Sequence, residues 1–122
     1  MRLVLDSDSR INLIRRYGNG EILIGEQLIT RPLIVTPTEL VLDWNATSLA
    51  DLTSTQLEPL FARAADVVLL GAGETQSFAS APVRASFRAR RVALECMNLG
   101  AACRTYNILA SEQRKVVAGL FP

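Results

Sequence analysis

Apolar runs divide the chain into two unlike parts. Up to about residue 50 the runs are short, at residues 11–17, 21–24, 28–29, 33–35 and 40–44, and each has the length of a strand. Tyr17, Gly18, Asn19 and Gly20 separate the first two, and glycine and asparagine tolerate the positive φ of a tight hairpin. Pro32 and Pro37 limit how far the following strands can run through the middle of a sheet. The first third is therefore expected to be mainly antiparallel β-structure opened by a hairpin.

From Thr53 the apolar period changes. Thr53 and Gln56 have the spacing of a capping box, Leu52 and Leu57 that of a hydrophobic staple, and Leu57, Leu60, Phe61 and Ala64 recur at helical spacing. Pro59 lacks a backbone donor and should bend this helix or delay its regular part. Residues 67–70 then form an apolar run broken by Gly71 and Gly73. Residues 82–91 form a helix with Pro82 in its first turn and Val83 and Phe87 inward, and residues 92–97 are apolar again. That order predicts a βαβ crossover on a parallel sheet. A further helix over 100–112 carries Leu99, Cys103, Tyr106 and Ala110 on one stripe and Arg104, Asn107 and Ser111 beside it. Residues 116–121 read as a closing strand. The expected fold class is α/β in the mixed α+β sense, as one domain over residues 1–122 with a hairpin-rich first part and a βαβ second half.

Composition narrows the function classes. Hydrophobic residues make up 49% of the 122 and the net charge is only +1, so the chain should form a core. It has no general attraction for phosphate backbones, and nucleic acid is not an expected partner. Asp6 and Asp8 interrupt the first apolar stretch before it reaches signal length, and no later segment approaches the roughly 20 apolar residues of a membrane span. The reading is a soluble, cytoplasmic protein with no integral membrane segment.

Histidine is absent, which excludes His-containing triads and His-ligated zinc sites. Ser77, Ser80, Ser111, Cys96 and Cys103 thus lack the usual base, and Lys115 is the only lysine. No catalytic set, metal ligand set or cofactor is expected. Spacing leaves a bridge between Cys96 and Cys103 open, with two reduced, mostly buried thiols as the preferred reading.

Three groups of residues could carry binding. Gly71 and Gly73 follow a strand as the first two glycines of a dinucleotide fingerprint would, but position 76 is Gln. Eight residues also separate Gly73 from Pro82, so a turn leaving a buried strand is the simpler role. Arg84, Arg88 and Arg91 fall at i, i+4 and i+7 with Arg90 beside them, whereas residues 32–62 contain acids and no Lys or Arg. This polarity suits solvated faces, an acidic partner or a self-complementary homodimer. Arg104 and Asn107 share a helix whose polar groups could hold a small ligand or the fold itself.

The stretches from Val67 through Gly73, Glu95 to Met97, Ala101 through Leu109 and Glu112 to Arg114 resemble a widespread family of small domains. Tyr17 through Gly20, Leu33 through Pro37 and Trp44 extend the likeness over nearly the whole chain. The family includes the mitochondrial respiratory complex I assembly factor three, the adipogenesis-associated domain protein and many uncharacterised bacterial proteins. The resemblance implies a three-layer fold with a mixed central sheet and no established enzymatic activity. Many relatives carry Asp-Thr where this chain has Asn98 and Leu99, and often Gly where it has Gln113, so any chemistry at those family positions would be lost here.

Two expectations follow. One is a non-catalytic interaction domain, an assembly or biogenesis factor for a membrane-associated complex, using the Arg84, Arg88 and Arg91 face or the surface from Gly71 to Glu74. The alternative is a binding protein for a small anionic ligand, or a weak enzyme, with a pocket between Gly71, Gly73 and the Arg104 and Asn107 face.

Overall fold

The computed structural model describes residues 11–122. The reading of the first apolar stretch and its interruption by Asp6 and Asp8 lies outside the described residues. Strands β1 (Ile14–Gly18), β2 (Glu21–Ile24) and β3 (Gln27–Ile29) form an antiparallel three-stranded sheet in that order. The first turn is Asn19 and Gly20 at φ 54° and 78°, the two positive values that a two-residue hairpin loop needs to match strand twist. β1 begins three residues later than the apolar run suggests. Asn12 is held instead by its N–H on the Pro37 carbonyl (2.9 Å) and its amide on Thr36 and Glu39 carbonyls (3.0 Å each).

The remaining strands are β4 (Leu33–Val35), β5 (Leu40–Val41), β6 (Val67–Ala72), β7 (Ala93–Met97) and β8 (Val116–Phe121). They form one sheet in the order β5-β4-β8-β6-β7, with β6 parallel to both β7 and β8 and with β4 antiparallel to β8 and β5. The predicted βαβ crossover and mixed central sheet are thus present. The expected closing strand is β8, with the bounds read from sequence, and it lies in the middle of the sheet. All six of its residues are buried, and an unbroken apolar run is the signature of a strand covered on both faces.

Helices α1 (Ser54–Phe61), α2 (Ala81–Ala89) and α3 (Leu99–Ser111) complete the fold. On one sheet face α3 buries Ala102, Cys103, Tyr106 and Ala110 together with Ile22, Ile24 and Ile29 of the small sheet, against Leu69, Ala118 and Leu120. On the other, Leu57 and Leu60 of α1, Val83 and Phe87 of α2 and Trp44 pack on Ile34, Val68, Leu70 and Val117. Each such aliphatic or aromatic side chain contributes about 2 kcal/mol by leaving water, so both faces are needed. These are the three layers.

Local chemistry sets the helix ends. Gln56 accepts the Thr53 N–H (3.0 Å) and donates to the Asn45 carbonyl (2.6 Å), while its own carbonyl accepts Trp44 Nε1–H (2.9 Å). The signal read as a cap therefore also anchors the irregular segment before α1. Leu52 and Leu57, the staple pair, are both buried. Helix α2 ends earlier than predicted, at Ala89. Arg91 N–H bonds the Arg88 carbonyl (3.1 Å), Val92 N–H bonds the Phe87 carbonyl (3.0 Å), and Arg91 takes φ 58°. Arg91 thus lies past the helix, and only Arg84 and Arg88 share its flank. α3 ends the same way at Gln113, φ 64°, with Gln113 N–H on Ala110 (3.0 Å) and Arg114 N–H on Leu109 (3.0 Å). A left-handed residue is what glycine supplies best, so glycine at position 113 in resembling proteins has a backbone explanation and needs no chemical one.

Candidate functional site

The parallel strands β8, β6 and β7 end together at one rim of the sheet. β6 leads through α2 to β7 on one side, and β7 leads through α3 to β8 on the other. Ligands of open α/β sheets bind outside the strand carboxyl ends where connections diverge in this way. A cleft of about 430 Å³ lies there, bounded by Gly73 and Glu74, Asn98 and Gly100, Arg104 and the hairpin turn at Tyr17 to Gly20. Gly73 turns at φ 72°, and its carbonyl accepts the Leu99 N–H (2.9 Å), which joins the β6 turn to the start of α3. Asn98 caps α3 by accepting the Ala101 N–H (2.8 Å) through Oδ1, a role an aspartate would fill equally well.

Gly71 lies inside β6 and does not face the cleft. A Cβ added there would stand 2.3 Å from Ala102 Cβ, so glycine is what lets α3 settle directly on the strand. The dinucleotide-like spacing therefore has a packing cause at its first glycine and a turn at its second. It also meets the N-terminus of α3 rather than α2, a juxtaposition that chain order alone conceals.

Arg104 is exposed and donates through Nη1 to the Tyr17 hydroxyl, which places a cation and a phenol on the cleft wall. Asn107 is directed elsewhere. Its Oδ1 accepts the Ile14 N–H (2.8 Å) and its Nδ2 donates to the Ile14 carbonyl (2.8 Å), so one side chain pairs with β1 as a neighbouring strand would. Tyr106 donates its hydroxyl to the Asn12 carbonyl (2.7 Å), and burial raises its pKa. Gly73, Glu74 and Arg104 thus come together, whereas Asn107 ties α3 to the small sheet.

Arg84 and Arg88 stand on α2, beyond this cleft. Arg84 Nη1 donates to the Ala79 carbonyl (2.6 Å), and Arg90 Nη2 pairs with Glu58 Oε2 (2.8 Å) while its guanidinium lies 4.3 Å over the Phe61 ring. The basic helix and the acidic stretch therefore meet at one ion pair. Sequence reasoning missed Phe78, a 70% exposed aromatic in the loop between β6 and α2, because a lone apolar residue in a polar loop carries no periodic signal.

A larger groove, about 970 Å³, lies along the opposite rim, among Pro37, Ala62, Ala65, Ser111 and Val116. Its Arg63 is already neutralised by Glu39 Oε1 (3.0 Å). That rim holds the amino ends of the parallel strands, so the smaller cleft is the better placed for a ligand. Among the described residues no cluster of three potential metal-ligating side chains occurs. Cys96 and Cys103 are free and pack on opposite faces of the sheet, which rules out the bridge that spacing left open. Burial pushes Cys103 up to about 12 and Cys96 upward as well, so neither resembles an activated thiolate. Among the described residues no helix is long and apolar enough to cross a membrane.

Over residues 14–121 the sequence matches the family described as Protein of unknown function (DUF498/DUF598), and the chain belongs to it. It is similar to NADH dehydrogenase (ubiquinone) 1 alpha subcomplex assembly factor 3 of Xenopus tropicalis, 28% identical over 99% of this chain. This chain spans 66% of that relative's length, just under two thirds. Among solved structures it resembles the Xanthomonas campestris protein XCC1710, with a TM-score of 0.82 and 36% identity over 90% of this chain and 83% of that one. It also resembles a Bordetella pertussis protein described as a Mth938-like domain, with a TM-score of 0.76 and 27% identity over 91% and 85% of the two chains. The family resemblance and the mixed three-layer fold expected from sequence are both shown by these matches.

Proposed function

We propose that this chain is a bacterial, cytoplasmic protein-interaction domain, folded as a single unit, which assists assembly or biogenesis of a membrane-associated complex without catalysing a reaction. The observation that carries this reading is similarity along 99% of the chain to a relative named as an assembly factor of an NADH dehydrogenase subcomplex. Fold alone would not carry it, because function resides in sites grafted onto folds. Two features of this chain support it: the polar groups of α3 at Asn107 and Tyr106 are engaged in holding the fold, while Arg88 and Phe78 stand exposed on another surface. Affinity purification of the tagged full chain from cells, followed by mass spectrometry, tests the reading. Specific enrichment of subunits of one membrane-associated complex is expected, and recovery no richer than a tag-only control would overturn it.

The cleft at the strand carboxyl ends favours a second reading, a small anionic ligand held by Arg104 with the Gly73 and Glu74 turn opposite. Glu74 on the far wall would select against highly charged anions. A thermal-shift screen of small carboxylates and phosphates tests it, since a ligand that binds only the native state raises the melting temperature. Stabilisation that disappears in Arg104→Ala supports this site, and stabilisation that persists in the variant places the ligand elsewhere.

A further inference from the structure

Strand β7 is an edge of the five-stranded sheet. It pairs with β6 along five consecutive positions, from Val67 with Ala93 to Gly71 with Met97, and no strand among the described residues lies on its other side. Alternate residues of such a strand turn their N–H and C=O groups away from the sheet, and proteins usually blunt that edge with charged side chains, proline, a bulge or a covering loop. β7 has no proline and no bulge, and one charge, Glu95, stands among Ala93, Leu94, Cys96 and Met97 in unbroken register. Loop 73–80 covers the far end, where Gln76 Nε2 donates to the Cys96 carbonyl (2.6 Å) and the Ala79 backbone bonds the Cys96 thiol, and Leu94 stands beyond these contacts.

The ground beside this edge is charged in a specific way. α2 packs over β7 on the face that Leu94 and Cys96 share, and Arg84 Nη1 is held at the loop over Cys96 by the Ala79 carbonyl (2.6 Å). Arg88 is exposed one turn further along the same flank. Glu95 points to the opposite face, by the two-residue alternation of a strand, and is exposed. Phe78 stands at the covered end on the loop that carries Gln76.

From this arrangement we propose that β7 is a strand-addition site for an extended, acidic segment of a partner protein. The incoming strand would hydrogen-bond to the outward backbone of β7. Its acidic side chains would recur at every second position, over Arg84 and Arg88, with uncharged or basic residues between them facing Glu95, and an apolar end would rest on Phe78. A second copy of this chain fits less well. A two-fold seam between two β7 strands would set both α2 helices on one face and bring four guanidinium groups together, a like-charge arrangement that opposes pairing. The inference rests on the protein-interaction reading and names its surface and the chemistry of the partner.

The test is selection on the immobilised full chain from a pool of peptides of about ten residues. One pool has Asp or Glu at alternate positions and all others randomised, and a second pool has Lys or Arg there. Enrichment from the acidic pool alone is expected, with binding at least about tenfold weaker for the Arg84→Glu/Arg88→Glu variant, whose changes are at exposed positions. N-methylating alternate amides along one edge of a selected peptide should abolish binding, and methylating the other edge should preserve it. Equal enrichment from both pools, undiminished binding to the double variant, or indifference to N-methylation on both edges would each overturn the proposal. So would a dimer in sedimentation that dissociates in the double variant, or anionic phosphatidylserine vesicles that bind the chain and are not displaced by the peptide. If the double variant still co-purifies the wild-type partner, the edge assignment fails and the interaction reading stands; if the wild type recovers no partner, the interaction reading fails first.

Discussion

The two crossover helices of the C-terminal half obey one connection rule and use their polar side chains in opposite ways. α3 leaves edge strand β7, passes over β6 and delivers β8 to the centre of the sheet. Its polar residues close the fold: Asn107 on Ile14, Tyr106 on Asn12 and Asn98 on its own first turn. α2 joins neighbouring strands, buries little more than Val83 and Phe87, and turns Arg88 to solvent beside an open edge. The lesson is that polar residues at helical spacing do not by themselves mark a binding face. What separates the two helices is whether a second layer covers them, since a polar group beneath a layer must find a partner inside the protein.

That contrast can be broken from the α3 side first. Gly71→Val should be the most damaging change, because its side chain would occupy the space of Ala102. A loss of about 3 kcal/mol in urea unfolding, or failure to fold, is expected. Asn107→Ala should remove about 2 kcal/mol by leaving the Ile14 N–H and carbonyl without their partner, and the same titration measures it.

Alkaline titration sharpens the comparison. Burial raises the Cys103 thiol from 9.0 to about 12 in the folded state, so its contribution to stability is complete below pH 9 and is lost as pH rises toward 12. Tyr106 acts with the same sign on the same helix. Melting temperature should therefore fall through this window, less steeply in Cys103→Ala, and equal slopes would contradict the burial assigned to α3. A smaller effect of opposite direction is expected at the helix terminus: Gln113→Gly should stabilise by about 1 kcal/mol by relieving a left-handed backbone. The least effect belongs to α2, where Arg88→Glu should change stability by about 0.5 kcal/mol or less. A larger loss would mean that this arginine holds the fold as Asn107 does.

Much of the fold was legible because its local signals agree. The Asn19-Gly20 turn, the Thr53 and Gln56 cap, Pro82 at the start of α2 and the apolar stripe of α3 each act over a few residues, and all appear in the structure. What stayed hidden was non-local. β8 is the final strand that the sequence predicts, and only its unbroken apolar run hinted that it is covered on both faces. Arg91 sits at helical spacing from Arg84, but the Val92 and Phe87 hydrogen bond closes the helix before it. The candidate cleft was half visible: of the Gly71, Gly73, Arg104 and Asn107 expected around one pocket, Gly73 and Arg104 line it, Gly71 packs on Ala102 and Asn107 pairs with Ile14, and the Tyr17 turn that completes the wall comes from another sheet. The β7 edge left no mark in the sequence, since an edge is defined by the strand that does not follow.

Residue-resolved amide hydrogen exchange across residues 93–97 tests most directly whether α3 closes the fold while the α2 flank remains free to dock. In the free protein alternate amides should exchange rapidly between slow neighbours, and a selected acidic peptide should slow the rapid set in the wild type and leave it unchanged in Arg84→Glu/Arg88→Glu. Uniformly slow exchange before any peptide is added, or a rapid set that the peptide never protects, would contradict the account.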